Sequence, residues 1–243
     1  MKVTTIGTGC TWFKRQNTCF LIDDNIVFDT PSGTYKDVIK NVEIEKISTI
    51  LISHFHSDHF GDFHVFAARF MRELKNLESK KQVYAPKGCL ERLLKINEAM
   101  IASNDELIAE NFEKNIDFID LYDGFEFVVG EYKVTSYKME HGKPETYGFV
   151  FENKNGLKVG FSADTQMCDN LHKILKTSNY AFVEMASTTK RDNHLCIDEI
   201  EELIKMYPNC KVHLVHTCDK CQDYAKNNNM NFLEDGQILN FNE

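Results

Sequence analysis

No stretch of the 243-residue sequence is apolar for long enough to span a bilayer. The opening residues, Met1-Lys2-Val3-Thr4-Thr5-Ile6-Gly7, read as a short strand ending in glycine and lack the apolar run of a secretory leader. These two absences predict a cytoplasmic protein with no membrane partner. Positive charge is also scarce: 28 Lys and Arg stand against 37 Asp and Glu, a formal net charge of −9. That balance disfavours a broad basic face, so long nucleic acid is not an expected partner, whereas a small anionic substrate held locally is compatible with it. Short-period repeats, low-complexity tracts and linkers are missing too, and the length is ample for a buried core. The chain is therefore read as one domain over 1–243, with a homodimer left open. Cysteine is not scarce, at eight residues, but without an export signal reduced thiols are expected rather than disulfides.

What the sequence does hold is Ser53-His54-Phe55-His56-Ser57-Asp58-His59-Phe60-Gly61, three imidazoles and a carboxylate within six residues. His54 and His56 are two apart, so on an extended backbone their side chains leave the same face. Asp58 and His59 follow where the chain turns toward a helix and can address a second point close by. Such spacing suits two metal ions side by side; the plain alternative is a His-rich turn capped by Asp58.

Around this motif the elements alternate. Cys19–Ile22 and 26–28 read as strands joined by the turn Asp23-Asp24-Asn25, and 35–41 as a short helix. The apolar run 47–52 reads as a buried strand that delivers His54 to its end. Phe63, Phe66, Ala67, Phe70, Met71 and Leu74 fall at helical spacing. Strand 83–85 follows, then a helix from Gly88 to about Met100 and another over 105–112. Strands are predicted at 116–121, 125–129, 132–138, 147–151 and 157–161. Helix 170–176, strand 180–184, helix 197–206, strand 212–215 and helix 218–227 complete the pattern. Two clusters of strands, each followed by helices, predict a sheet sandwich with helices outside.

Two metals need more ligands than the motif supplies. His141, Asp164 and His216 each follow a predicted strand, where a sheet fixes side-chain position while loops stay free for substrate. Taken alone, each is more often an ordinary side chain.

Together they carry a resemblance. Ser53 to Gly61 resembles the His-x-His-x-Asp-His signature of the metallo-β-lactamase fold superfamily. His141, Gly160-Phe161-Ser162-Ala163-Asp164-Thr165 and His216 follow in that superfamily's order. Gly7-Thr8-Gly9, Val83-Tyr84-Ala85-Pro86 and His141 with Tyr147-Gly148-Phe149 are similar to its ribonuclease Z and cyclic-phosphodiesterase branch. The resemblance implies an α/β, four-layer αββα sandwich of two mixed β-sheets with outer helices. It implies that His54, His56 and His141 hold one metal, that Asp58, His59 and His216 hold the other, and that Asp164 bridges them. This ligand mix suits a hydrolytic zinc site, and manganese or iron fits it as well. No Glu replaces His56, which disfavours the oxygen-reducing di-iron variant.

The implied activity is that of a dinuclear metal-dependent hydrolase, a phosphodiesterase using a metal-bridging hydroxide on a small or terminal phosphodiester. Asp58 is implied to take a proton from the water as well as bind metal. His194 lies where the resembling phosphodiesterases keep a His that touches the phosphate or protonates the leaving oxygen. Cleavage of a thioester, lactone or β-lactam on the same scaffold is the alternative, and a non-catalytic ligand-binding member a third. The closeness of His141 to Asp164 leaves no room there for a long RNA-grasping arm.

Asp29, at a strand end, is a candidate acceptor for a ligand His N–H, or else a turn former before Thr30-Pro31. His64, His172 and His213 are read as structural. Cys218-Asp219-Lys220-Cys221 resembles half of a zinc-binding pattern, but no second pair accompanies it. Trp12-Phe13-Lys14-Arg15 is read as a solvated loop tip, or as a cluster able to stack a base and hold a phosphate.

Overall fold

The computed structural model describes residues 1–73, 80–101 and 106–241. Leu74, expected on an apolar helical stripe, and Asp105, expected to open a helix, lie outside them. In chain order the elements are β1 (Lys2–Gly7), β2 (Cys19–Ile22), β3 (Ile26–Phe28), α1 (Thr34–Asn41), β4 (Thr49–Leu51), α2 (Ser57–Phe60), α3 (Phe63–Glu73), β5 (Lys81–Ala85), α4 (Cys89–Ile101), α5 (Glu106–Asn115) and β6 (Ile116–Asp120). Then come β7 (Glu126–Val129), β8 (Tyr132–Met139), β9 (Thr146–Glu152), β10 (Lys158–Phe161), α6 (Asp169–Thr177), β11 (Tyr180–Glu184), α7 (Ile197–Met206), β12 (Lys211–Val215), α8 (Asp219–Asn227) and β13 (Ile238–Asn240).

The strands form two mixed sheets. One has seven strands in the order β13-β1-β2-β3-β4-β5-β6, the other six in the order β12-β11-β10-β9-β8-β7. In each, a hairpin portion continues into parallel strands: β3, β4, β5 and β6 run parallel, as do β10, β11 and β12. The β2–β3 hairpin turns through Asp23 and Asp24, both left-handed at φ 47° and 57°, a conformation Asp tolerates better than most residues.

Successive residues of β2 show why the inner strands read as continuous apolar runs. Cys19 and Leu21 pack outward against α3 and its neighbours, whereas Phe20 and Ile22 pack inward between the sheets. Both faces are buried, so neither needs a polar residue. The space between the sheets is filled by aromatics: Phe161 stacks on Phe182 at 4.6 Å between ring centres, and Phe20 and Phe28 pack on the same pair at 5.0 and 5.2 Å. Each such ring contributes on the order of 1.5–3 kcal/mol through burial. Outside the first sheet lie Val38 of α1, Phe63, Phe66 and Phe70 of α3, and Leu93 of α4. Leu171 and Ile174 of α6, Ile200 and Leu203 of α7, and Ala225 of α8 cover the second. The layers are helix, sheet, sheet, helix, the sandwich that the motif implied. Among the described residues, no helix is long and apolar enough to cross a membrane.

Candidate metal centre

The ends of several strands converge on one edge of the sandwich. Beyond β3 stands Asp29, beyond β4 Ser53 and His54, and α2 then presents Asp58 and His59. From the other sheet come His141 beyond β8, Asp164 beyond β10 and His216 beyond β12. Three of these exits turn through a left-handed non-glycine residue: Asp29 (φ 59°), Ala163 (φ 51°) and His216 (φ 49°). Such backbone costs roughly 1–3 kcal/mol per residue and persists where surrounding structure enforces it.

Asp164 sits at the centre, 2 % exposed. Its Oδ2 is 3.3 Å from His216 Nε2, 3.6 Å from His141 Nε2 and 3.9 Å from His54 Nε2, and its Oδ1 is 3.3 Å from His59 Nε2. Candidate ligand atoms fall into overlapping groups: His54, His56 and His141 in one; Asp58, His59 and His216 in another; His54, His59 and Asp164 between them. The structure thus brings every expected metal ligand to one place, with Asp164 between the two triads.

The opposite ring nitrogens explain why these atoms face inward. His59 Nδ1–H donates to Asp29 Oδ2 at 2.7 Å, the acceptor expected at Asp29. His141 Nδ1–H donates to the Asn193 carbonyl at 2.7 Å, since a carbonyl only accepts. Ser53 Oγ–H donates to Asp29 Oδ2 at 2.8 Å, so the 3.0 Å contact between Ser53 Oγ and His54 Nδ1 takes its proton from the ring. The same logic holds at His216, whose Nδ1 lies 3.2 Å from a Thr18 hydroxyl that donates to Gly9 O. All four rings then turn Nε2 toward Asp164.

This arrangement is a test of whether metal fits. His54 Nε2, His59 Nε2 and Asp164 Oδ1 are buried without a hydrogen-bond partner, a costly state unless a cation receives them. Nitrogen and carboxylate donors with hydrogen-bonded outer partners are what divalent cations take. The residues present fit the group. Without cations, burial lowers the pKa of His54, and the neighbouring His59 lowers it further. Burial would lower His59 as well, but the Asp164 and Asp29 carboxylates raise it well above the imidazole range. Asp164 is pushed up by burial, yet the His216 and His59 rings hold it well below an ordinary carboxylate.

His194 lies beside this cluster, its ring centre 4.7 Å from that of His141 and 5.8 Å from that of His216. It sits in a loop closed by the bridge between Ser187 and Cys196. Its Nδ1–H donates to both oxygens of Glu184, at 3.0 and 3.1 Å. Burial lowers the His194 pKa, but the Glu184 carboxylate outweighs it and lifts the value to about 9. Glu184 is 1 % exposed, ends β11 and also accepts from Thr165 N at 2.6 Å. Glu184 is not among the residues the sequence singles out; its one signal is a charge closing the apolar strand Tyr180-Ala181-Phe182-Val183. Nor does the sequence single out Thr11, whose hydroxyl donates to Asp58 Oδ2.

The remaining candidates lie elsewhere. His64 binds Gly61 O, His172 the Tyr207 hydroxyl and His213 the Asn231 amide. Arg15 faces inward, with Nη1 on Thr8 Oγ1 at 2.8 Å and Nη2 on Thr217 O at 2.5 Å, so it is not free to hold a phosphate. Cys218 caps α8 and accepts from Cys221 N at 3.4 Å; all eight cysteines are unbridged and buried. Above Asp58, Asp164 and His216 opens a cavity of about 490 Å³, with Trp12 and Phe13 on one wall and His194, Arg191 and Lys220 among its other lining residues.

Two mixed sheets between helices, with a His and Asp cluster at their edge, define a metallo-β-lactamase fold protein. The chain belongs to the family described as Anti-Pycsar protein Apyc1, whose model matches residues 1–239. The metallo-β-lactamase fold protein YhfI of Bacillus subtilis superposes with a TM-score of 0.77 at 16 % identity, over 98 % of each chain. Human tRNase Z, short form, does so at 0.75 and 19 %, over 100 % of each chain. Identities this low carry the fold. Ribonuclease J of Mycoplasma pneumoniae is 24 % identical over 182 residues, 71 % of this chain but 28 % of that protein. The chain thus matches well under half the length of that curated relative.

Proposed function

We propose that this protein is a metal-dependent phosphodiesterase acting on a small or terminal phosphodiester, with two divalent cations, zinc first among them. The observation that carries the reading is the ring of Nε2 atoms around Asp164, with the His194–Glu184 pair beside it at the same cavity. Such a pair is what a departing alkoxide needs and what a bare binding site does not. Names of similar proteins, a tRNase and a ribonuclease, point to the same ester. His54, His56 and His141 would hold one cation and Asp58, His59 and His216 the other, with Asp164 between. When bound, the cations supply Lewis-acid charge that acidifies water and neutralises phosphoryl oxygens.

The chain's own residues do the rest. Arg191 and Lys220 draw an anion into the cavity of an otherwise acidic protein. Thr11 fixes Asp58 Oδ2 by hydrogen bonding, which orients the carboxylate that accepts a proton from attacking water. Glu184 fixes the His194 ring through Nδ1 and leaves Nε2 to protonate the leaving oxygen. The partner is accordingly a small anionic molecule and the setting cytoplasmic.

With zinc or manganese supplied, the protein is expected to hydrolyse bis-p-nitrophenyl phosphate. His194→Ala should slow it about 10²- to 10⁴-fold, the usual worth of a positioned general acid, with metal content unchanged. Turnover of a thioester or lactone panel with no action on phosphodiesters would transfer the assignment to acyl chemistry.

A further inference from the structure

Cys218-Asp219-Lys220-Cys221 has no second cysteine pair to complete a zinc site, and the proposed hydrolysis makes no use of either thiol. In the fold this motif opens α8, with Cys218 as the capping residue and Cys221 in the first turn. That turn brings side chains three apart onto one face. Cys221 N–H donates to Cys218 Sγ at 3.4 Å, and the Cys221 thiol donates to the same sulfur. The two thiols are in contact with no bond between them.

The pair is asymmetric. Cys218 lines the cavity above the metal centre, two residues after His216. Cys221 is wholly buried in the core beneath α8. A solute in the cavity therefore meets Cys218 first, and Cys10 is a second thiol on the same wall. An accessible thiol backed by a buried one suits reversible oxidation, the second resolving what the first becomes.

We infer that Cys218 and Cys221 form a reversible disulfide site for two-electron oxidants of the peroxide class that enter the cavity. Cys218 Sγ bonds to one oxygen of hydrogen peroxide, the O–O bond breaks, and the other oxygen leaves as water with the thiol proton. Cys221 Sγ then bonds to the sulfur of this sulfenic acid, whose S–O bond breaks, and the hydroxyl leaves with the Cys221 proton as a second water. Two thiols are oxidised to a disulfide and one peroxide is reduced to two waters; a dithiol reductant reverses the oxidation of the pair. Without Cys221, further peroxide would carry Cys218 to a sulfinic acid, which a thiol does not reduce. Its anion would face a cavity that Arg191 and Lys220 make attractive to anions, whereas the disulfide is neutral. This protective role, unlike the disulfide itself, rests on the phosphodiesterase reading.

Trypsin cuts after Lys211, Lys220 and Lys226, so the two sulfurs fall in different peptides, 212–220 and 221–226. Zinc-loaded protein is treated with hydrogen peroxide, remaining thiols are alkylated, and the digest is read by mass spectrometry. The two peptides should appear joined, lighter by two hydrogens than their sum, and should separate after dithiothreitol. In Cys221→Ser, Cys218 should instead carry a sulfinic acid that dithiothreitol leaves in place; Cys221→Ala serves if the buried hydroxyl is not tolerated. Absence of the joined peptides in the wild type, a bond from Cys218 to Cys10 in their place, or a variant that returns to free thiol overturns the inference, whether or not any ester is cleaved.

A second arm follows kcat/KM for bis-p-nitrophenyl phosphate after peroxide and then dithiothreitol. The wild type should regain its starting value. The variant should stay at least about tenfold below its own, because like charge set against an anion costs more than that. Full recovery of a variant that carries the sulfinic acid overturns the protective role. No turnover by either protein, treated or untreated, counts against the phosphodiesterase reading, and the joined peptides still decide the disulfide.

Discussion

His59 lies between two carboxylates, Asp29 on its Nδ1 side at 2.7 Å and Asp164 facing Nε2 at 3.3 Å. Asp29 is wholly buried and takes two further bonds from Ser53, so one carboxylate orients both His59 and, through the Ser53 hydroxyl, His54. Asp29→Asn keeps the shape but lets an amide present N–H where His59 must donate. Metal affinity is expected to fall roughly 10- to 100-fold, as is typical when an outer partner of a ligand His is lost. Competition with a chromogenic chelator measures this, and an unchanged dissociation constant would remove Asp29 from the site. Glu184→Gln addresses a different atom. It preserves the volume that caps Thr165 N but removes the charge that holds His194. The expected result is a kcat loss of at least about tenfold with metal content intact, less than His194→Ala because the ring itself remains. Steady-state kinetics beside elemental analysis of the same samples decides it.

At the scale of elements, α2 is a single turn, yet it carries both Asp58 and His59 and is held from outside. Gly61 ends it against the Thr30-to-Ser32 segment, where an added Cβ would lie 2.2 Å from Ser32 Oγ and 2.6 Å from Ser57 O. The backbone oxygen cannot rotate away. Gly61→Ala should therefore cost about 1–3 kcal/mol of stability, as overpacking does, and displace Asp58 and His59 with it. Urea denaturation reads the first effect and metal titration the second. This packing also shows what the sequence made visible. Strands whose two faces are both buried announce themselves as apolar runs, and β2, β3 and β11 lie where those runs lie. The run 47–52 gives a shorter strand, Thr49–Leu51, because Ile47 closes the preceding single turn of 3-10 helix at Ile44–Lys46. β13 was not foreseen: Ile238–Asn240 is a largely exposed edge strand defined by its pairing with β1. The ligand candidates were legible because their spacing and strand-end positions are local. Thr11 and Thr18 were not, since they meet Asp58 and His216 across 47 and 198 residues and only the topology joins them; Glu184 lies ten residues from His194, but a single charge ending a strand carries no spacing signal.

Across the whole molecule, the candidate ligands divide between the sheets. His54, Asp58 and His59 follow β4 of one, while His141, Asp164 and His216 follow strands of the other. Cations at that seam would bind two halves of the sandwich as well as a substrate. Without them, buried Nε2 atoms of His54 and His59 and Oδ1 of Asp164 have no partner, at about 1–3 kcal/mol for each unsatisfied group. Metal that binds only the folded chain adds RT ln(1 + [L]/Kd), about 4 kcal/mol at a thousandfold excess over Kd. Stripping with a chelator should therefore lower Tm by about 8–16 °C, at the 2–4 °C per kcal/mol typical of chains this long. Readdition of zinc or manganese should restore it. Loss of Asp164, whose carboxylate faces all four Nε2 atoms, should abolish the restoration, because Asp164→Asn leaves a neutral group where the two triads meet. A stripped protein that melts where the loaded one does would mean that the cluster holds itself together by its own hydrogen bonds, and the seam between the sheets would need no cation.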